Sequence, residues 1–411
     1  MKTLHVYFHD ELTGALVQTL EGRIEFSYNR DWLESKGVHP LSQSLPLQPE
    51  TFEERECIGF FGGLLPEEYN REIIARNLGI TARNDFAMLR EIGGECAGAV
   101  SLVEPETVLE KAEHRYASIS ESELIEILDQ LPQRPLLAGR AEVRLSLAGA
   151  QNKVALFKEG EDFSLPLHES PSSHILKPEW ERFPGLSLNE AYCLNLARRS
   201  GLPTTEAEAT TFGPHRCLVV ERYDRILDKA GKLQRLHQED FCQALGIPTR
   251  IKYQNEGGPD LASCFQLIRS ASTRPARDLI HLFNVIIFNF LIGNNDAHGK
   301  NFSLLYTQKG GQQSVQLAPL YDLVSTASYP ELSQKMAMKI GSAYLPSKLR
   351  IYDWEHYWEH IGFSKKQAFK QTLQFVDQVE SLANSPTNVT EEAIGKIIQE
   401  RVKNLRQMLV H

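Results

Sequence analysis

Asp296, Asn301 and Asp322 have the residue types and the order needed for phosphoryl transfer. The spacing Asp-x-x-x-x-Asn, followed after a short two-stranded excursion by a second Asp, matches a kinase-type catalytic loop: an aspartate base, a metal-binding asparagine, then a metal-binding aspartate. Amide and carboxylate oxygens are hard ligands suited to Mg2+, which takes few protein groups and leaves the rest to phosphates and water. Two elements must position them. The apolar run from Leu279 to Ile292 reads as a buried helix closed by Gly293. Phe302 to Tyr306 and Ser314 to Leu317 read as strands joined at Gly310-Gly311, a hairpin that would return Asp322 beside Asn301. On spacing alone, a plain Asn-Asn-Asp turn with Asp322 as a helix cap is also open.

A second set of residues fits a nucleotide. The small-residue turn Ala148-Gly149-Ala150, with Gln151, Asn152 and Lys153 behind it, lets backbone N–H groups approach phosphate oxygens, although a hairpin turn has the same composition. Lys177 ends the expected strand 174–178, and Glu190 lies thirteen residues on in a helix, as in kinases that pair a strand lysine with a helix glutamate. The backbone from Glu221 to Tyr223 would form an inter-lobe hinge facing an adenine edge.

The chain has 411 residues, 42% hydrophobic and 24% charged, with a net charge of −9. That length suits a multi-lobed protein, and the acidic balance disfavours gripping a phosphate backbone without a partner. The six cysteines show no C-x-x-C pair, which speaks against a zinc site and a disulfide framework. No run was expected to reach a membrane span and no signal-peptide core opens the chain, so a cytoplasmic location without membrane contact is expected.

Residues 1–105 read as a small strand-rich unit, in which 41–47 and 60–68 form apolar packing surfaces punctuated by Gly62-Gly63 and Pro66, and 104–118 reads as a charged linker or exposed hairpin. Ser120 and Glu123 form a capping box. Residues 143–157 read as strand, turn, strand, and 186–202 as a helix. Beyond Gln238 the chain reads as mainly helical apart from the hairpin, ending on an amphipathic helix with Ile394, Ile397, Ile398, Val402, Leu405 and Leu409 on one face. The fold expected is α+β and two-lobed, like a protein kinase, with an extra strand-rich N-terminal subdomain (1–105), an N-lobe (106–223) and a mainly helical C-lobe (224–411).

The ordered motifs R-L-S-L-A-G-A-Q-N-K, H-I-L-K-P, V-E-R-Y-D, H-Q-E-D-F-C-Q-A-L-G, K-Y-x-x-x-G-G-P, N-D-A-H-G-K-N-F-S and L-Y-D-L resemble those of the HipA-type toxin serine/threonine kinases of bacterial toxin–antitoxin systems. L-S-Q-S-L-P-L and F-F-G-G-L-L-P extend the resemblance through the N-terminus. It implies ATP with Mg2+ as cofactors, Asp296 as the base, Asn301 and Asp322 on the metal, and Lys177 and residues 148–153 on phosphates. It also implies transfer to a serine of a protein target such as glutamyl-tRNA synthetase or another aminoacyl-tRNA synthetase, with arrested translation, growth inhibition and persistence. Ser146 falls on the family's autophosphorylated serine, and Arg144 is expected to stand near enough to hold that phosphate. A helix-turn-helix antitoxin of HipB type is the implied partner, and DNA is reached only through it. Two other readings compete: a small-molecule phosphotransferase, usually marked by an acceptor-binding insertion in the helical lobe, and a catalytically weak co-repressor that only holds the antitoxin.

Overall fold

Period-two alternation in the first hundred residues places Leu4, Val6, Leu16, Ile24 and Phe26 on one buried face. The strands form an antiparallel sheet in the order Ile24–Tyr28, Glu11–Gln18, Lys2–Phe8, Val100–Val103. The computed structural model describes residues 1–107, 114–309 and 312–410. Part of the expected linker 104–118 and the Gly310-Gly311 turn therefore lie outside the described residues. The chain forms two units: Met1–Pro178 with Thr210–Arg250 and Leu305–Thr307, and Glu179–Ala209 with Ile251–Leu304 and Gln308–His411.

In the first unit the N-terminal segment is less strand-rich than expected, because four helices (Arg30–Glu34, Glu54–Gly63, Glu68–Asn77, Asp85–Ile92) cover its sheet. Gly62 and Gly63 do not break the chain; they end a helix, and a Cβ on Gly63 would lie 2.5 Å from the Gln243 side chain. Leu41, Leu45, Phe60, Phe61 and Leu65 are fully buried, as expected for packing surfaces.

The larger sheet of this unit runs in the order Tyr116–Ile119, Asp162–Pro166, Val154–Glu159, His174–Pro178, His215–Glu221, with Ala207–Phe212 at its edge. The expected strand at 143–147 is absent as a strand. Val143 and Leu145 instead make single parallel bridges to His168 and Glu95, and regular pairing starts only at Val154. Helix Glu121–Gln130 carries the expected Ser120–Glu123 capping box.

A buried charge cluster pins the segment after His215–Glu221. Arg222 donates to both Glu95 oxygens at 3.0 Å, to Asp224 at 3.0 and 2.8 Å, to Ser172 Oγ at 2.9 Å and to the Cys96 carbonyl at 3.2 Å. Arg225 adds a 2.5 Å bond to Glu95. Burial pushes the Glu95 carboxyl up, but Arg222, Arg225 and Arg235 outweigh it and hold the group below its ordinary value.

The second unit is helical. Pro275–Ile292 packs against Leu261–Ala271, Lys365–Ala383 and Val389–Val410, whose Ile394, Ile398, Val402 and Leu405 are fully buried. By length and composition Pro275–Ile292 could cross a membrane, contrary to the expectation from sequence. Its burial by three helices accounts for that apolarity: it is the core helix of the unit. All six cysteines are buried.

Removing one partner of a buried ion pair costs about 3–5 kcal/mol, because the remaining charge is uncompensated. Glu95→Gln is expected to destabilise the protein by that amount in chemical denaturation. A loss under about 1 kcal/mol, the scale of a surface pair, would contradict the role given to the cluster.

Candidate active site

Helix Pro275–Ile292 ends at Gly293, whose φ of 72° is the left-handed cap that turns the chain out of the core. A polar loop leaving a buried helix must satisfy its backbone locally. Here the Gly293 carbonyl accepts from Ala327 N at 2.9 Å and Thr326 Oγ1 at 3.1 Å. Asn295 N donates to Thr326 Oγ1 at 2.8 Å, and the Asn295 carbonyl accepts from Ala337 N at 2.7 Å. Asn294 bonds Asn289 Oδ1 at 3.0 Å and receives Asp296 N at 3.2 Å. Of residues 285–306, only Asp296 is exposed.

Strands Ser303–Lys309 and Gln312–Leu317 follow the loop. Leu317 N is tied to the buried Asp278 carboxylate of the core helix at 2.9 Å, and Ala318 N to the Ser303 carbonyl at 2.8 Å. Tyr321 bonds the Lys300 carbonyl at 2.7 Å and Ser303 Oγ at 2.6 Å, while Ser325 N donates to Asn189 Oδ1 at 2.8 Å. These ties set Asp322 beside the loop in a left-handed conformation, φ 56°, which aspartate tolerates better than most residues.

Asn301 Nδ2 donates to Asp322 Oδ2 at 2.8 Å. The pairing expected from the hairpin is present. Asn301 Oδ1, buried, has no hydrogen-bond partner. A buried acceptor left unmatched beside a carboxylate is costly unless a cation completes it, and an amide oxygen with a carboxylate suits Mg2+. Among the described residues no three His, Cys, Asp or Glu side chains stand together to cage a metal.

Asp296 is held by a residue the sequence reading did not assign. The Tyr253 hydroxyl donates to Asp296 Oδ1 at 2.8 Å, and its ring stands edge-on to His298 at 5.2 Å. Gly258 N donates to the Tyr253 carbonyl at 2.9 Å, closing the K-Y-x-x-x-G-G-P loop on itself. That motif was the available signal. Glu190 lies buried on helix Leu186–Arg199 of this same unit.

The remaining expected residues belong to the first unit. Lys177 is buried on its strand, opposite Leu218. Lys153 Nζ donates to the Ala148 carbonyl at 2.7 Å, the Ala150 carbonyl accepts from Asn70 Nδ2 at 2.7 Å, and Gln151 reaches the Pro178 carbonyl at 3.3 Å. The turn is therefore an irregular loop seated on the N-terminal helices, and Asn152 Oδ1 is a buried acceptor without a partner. Glu221 is exposed, Arg222 beneath it is anchored by the charge cluster, and Tyr223 donates to Gln238 Oε1 at 2.6 Å. Asp240 caps Phe241–Ala244, whereas Glu239 binds Gln43 N at 3.0 Å and the hydroxyls of Ser42 and Tyr306. Ser146 is fully buried, and its hydroxyl donates to the Leu64 carbonyl at 2.7 Å. Arg144 does not wait for a phosphate: it is committed to Glu169 at 3.0 Å and to the carbonyls of Arg90 and Leu102.

The HipA-like C-terminal domain family matches residues 145–393, and the HipA N-terminal domain family matches residues 4–103. The chain belongs to the HipA family. The serine/threonine-protein kinase toxin HipA of Shewanella oneidensis is 30% identical over 375 residues, 88% of this chain and 84% of that protein. The Sinorhizobium fredii protein Y4mE is 42% identical over 404 residues, 97% of this chain and 93% of its own length. The structure of the Shewanella HipA, solved with HipB and operator DNA, superposes with a TM-score of 0.85 at 25% identity, covering 99% of this chain and 98% of that one. The α+β kinase-like fold of the HipA family is thus the fold of this chain, and kinase relatives make it a kinase.

A hydrogen bond to a charged group contributes about 1.5–3 kcal/mol. Tyr253→Phe is expected to lower kcat about ten-fold with KM for ATP unchanged. An unchanged kcat would remove Tyr253 from the account.

Proposed function

We propose that this HipA-family chain transfers the γ-phosphoryl group of ATP to a serine hydroxyl of a protein, with Asp296 as the base. The observation that carries this reading is the loop itself: every other residue of 285–306 is buried, and only Asp296 opens outward, held by Tyr253. Its carboxylate takes the proton of the acceptor hydroxyl as the hydroxyl oxygen bonds to phosphorus and the bond to the departing ADP breaks. Asn301 and Asp322 would hold Mg2+, which when bound would supply positive charge for the phosphates. Lys177 and the 148–153 loop hold the phosphates, and the backbone at Glu221 and Tyr223 receives the adenine. An aminoacyl-tRNA synthetase such as glutamyl-tRNA synthetase is the proposed target, with growth inhibition in the cytoplasm as the result.

Autophosphorylation at Ser146 belongs to the same proposal and has a structural requirement. Phosphate oxygens are acceptors, and the Ser146 hydroxyl faces the carbonyl of Leu64 in a fully buried seat. The segment must leave this seat to be modified, and the modified serine cannot return to it.

The Shewanella relative's complex with HipB and operator DNA motivates a helix-turn-helix antitoxin as partner. The net charge of −9 supports DNA contact through that partner. Incubation with γ-labelled ATP and a cell lysate tests the reaction. Asp296→Asn is expected to reduce transfer about 10²–10⁴-fold with ATP binding retained. Transfer at the wild-type rate in that variant would refute the assignment.

A further inference from the structure

The second unit carries an open depression of about 490 Å³ lined by Lys335, Tyr344, Lys348, Arg350, Tyr352 and Asp353. That volume is in the range of ligand sites, roughly 300–1,000 Å³. Lys335, Lys348 and Arg350 are exposed, and among the described residues none of them stands in an ion pair. The carboxylate in the lining is already occupied: Asp353 is buried and accepts from Ser342 N at 2.9 Å, Ser342 Oγ at 2.7 Å and Arg350 N at 3.0 Å. Glu355 and Glu359 on the same helix are both held by Lys365 at 3.1 Å. The depression is thus a cationic site on a protein of net charge −9.

Its walls are tied to the catalytic loop. Met336 N donates to the Tyr344 carbonyl at 2.8 Å, and the next residue, Ala337, donates to the carbonyl of Asn295, the neighbour of Asp296. Lys339 N donates to Gln254 Oε1 at 2.8 Å, one residue after Tyr253. The lining therefore shares a hydrogen-bonded frame with the base and with the tyrosine that holds it.

We propose that this depression docks an acidic stretch of the acceptor protein and so delivers its serine to Asp296. The inference rests on the protein-kinase reading above. Lysine is a flexible point charge rather than a planar fork, so two lysines and one arginine around an open trough suit a run of carboxylates that need not present one fixed geometry. Tyr344 and Tyr352 add broad faces and hydroxyls, the latter already bonded to Ser342 Oγ at 2.9 Å. An acidic partner is repelled by the protein's overall negative field and attracted here, which fixes where and in which orientation it lands.

Fluorescence anisotropy of labelled serine-centred peptides on the full chain tests this, at low ionic strength, where charge contacts are least screened. A glutamate-flanked peptide is expected to bind about ten-fold more tightly than its glutamine-flanked counterpart. The double variant Lys335→Glu, Lys348→Glu, and separately the double alanine variant, should lose that preference while ATP binding and phosphorylation of the chain itself by Mg-ATP stay as in wild type. Equal binding of the two peptides, or a preference that survives in both variants, would overturn the proposal, as would loss of the preference on adding millimolar inorganic phosphate, which would make this a free-phosphate site. Peptide preference in a chain that transfers no phosphate would leave the docking surface standing and sink the kinase reading; intact transfer without preference would do the reverse.

Discussion

A polar loop emerging from the end of a buried helix must have its backbone groups paired, and that requirement shapes the second unit. The Gly293 cap turns the chain outward, and Thr326, Ala327, Ala337 and Asn289 then take up the loop's donors and acceptors. Two groups mark the loop: Asp296 carries its exposed carboxylate, held by Tyr253, and Asn301 Oδ1 is buried without a hydrogen-bond partner while its Nδ2 donates to Asp322. Pairing of the surrounding backbone is what holds both side chains in place.

The first unit solves a different problem. The segment from Glu221 to Arg225 buries three of its four charges, and burying Arg222, Asp224 and Arg225 is tolerable only because Glu95 and the backbone of Cys96 and Gly98 reach them from the N-terminal segment. The N-terminal subdomain also supplies Glu67 and Asn70 to the carbonyls of Gly149 and Ala150. It therefore acts as a support for the loop and the strand exit to which nucleotide contacts are assigned.

How much of this was legible in the sequence depends on the range of the interaction. The helix, its glycine cap and the Asn301–Asp322 pairing could be read because a short hairpin forces the last two together. Tyr253 could not, because it meets Asp296 across 43 residues with no periodicity to link them. The helices of the N-terminal subdomain were hidden by Gly62 and Gly63, which read as breaks until the Gln243 side chain lying against Gly63 shows why a small residue ends that helix. Val143 to Leu147 alternates like a strand, but its partners are isolated bridges rather than a ladder, and alternation does not reveal what pairs with it. The cationic depression was invisible for the same reason, its lining being assembled by turns between Lys335 and Asp353.

The central claim is that Asp322 and Asn301 form a metal-binding pair serving the base on the same loop. Thiophilic metal rescue tests it most directly, with phosphoryl transfer by Asp322→Cys measured in Mg2+ and in Cd2+, since a thiolate is a soft ligand that selects the softer ion. The account predicts negligible transfer in Mg2+ and recovery in Cd2+, with no such recovery for Asp322→Ala. Transfer by Asp322→Cys in Mg2+ at the wild-type rate would contradict it.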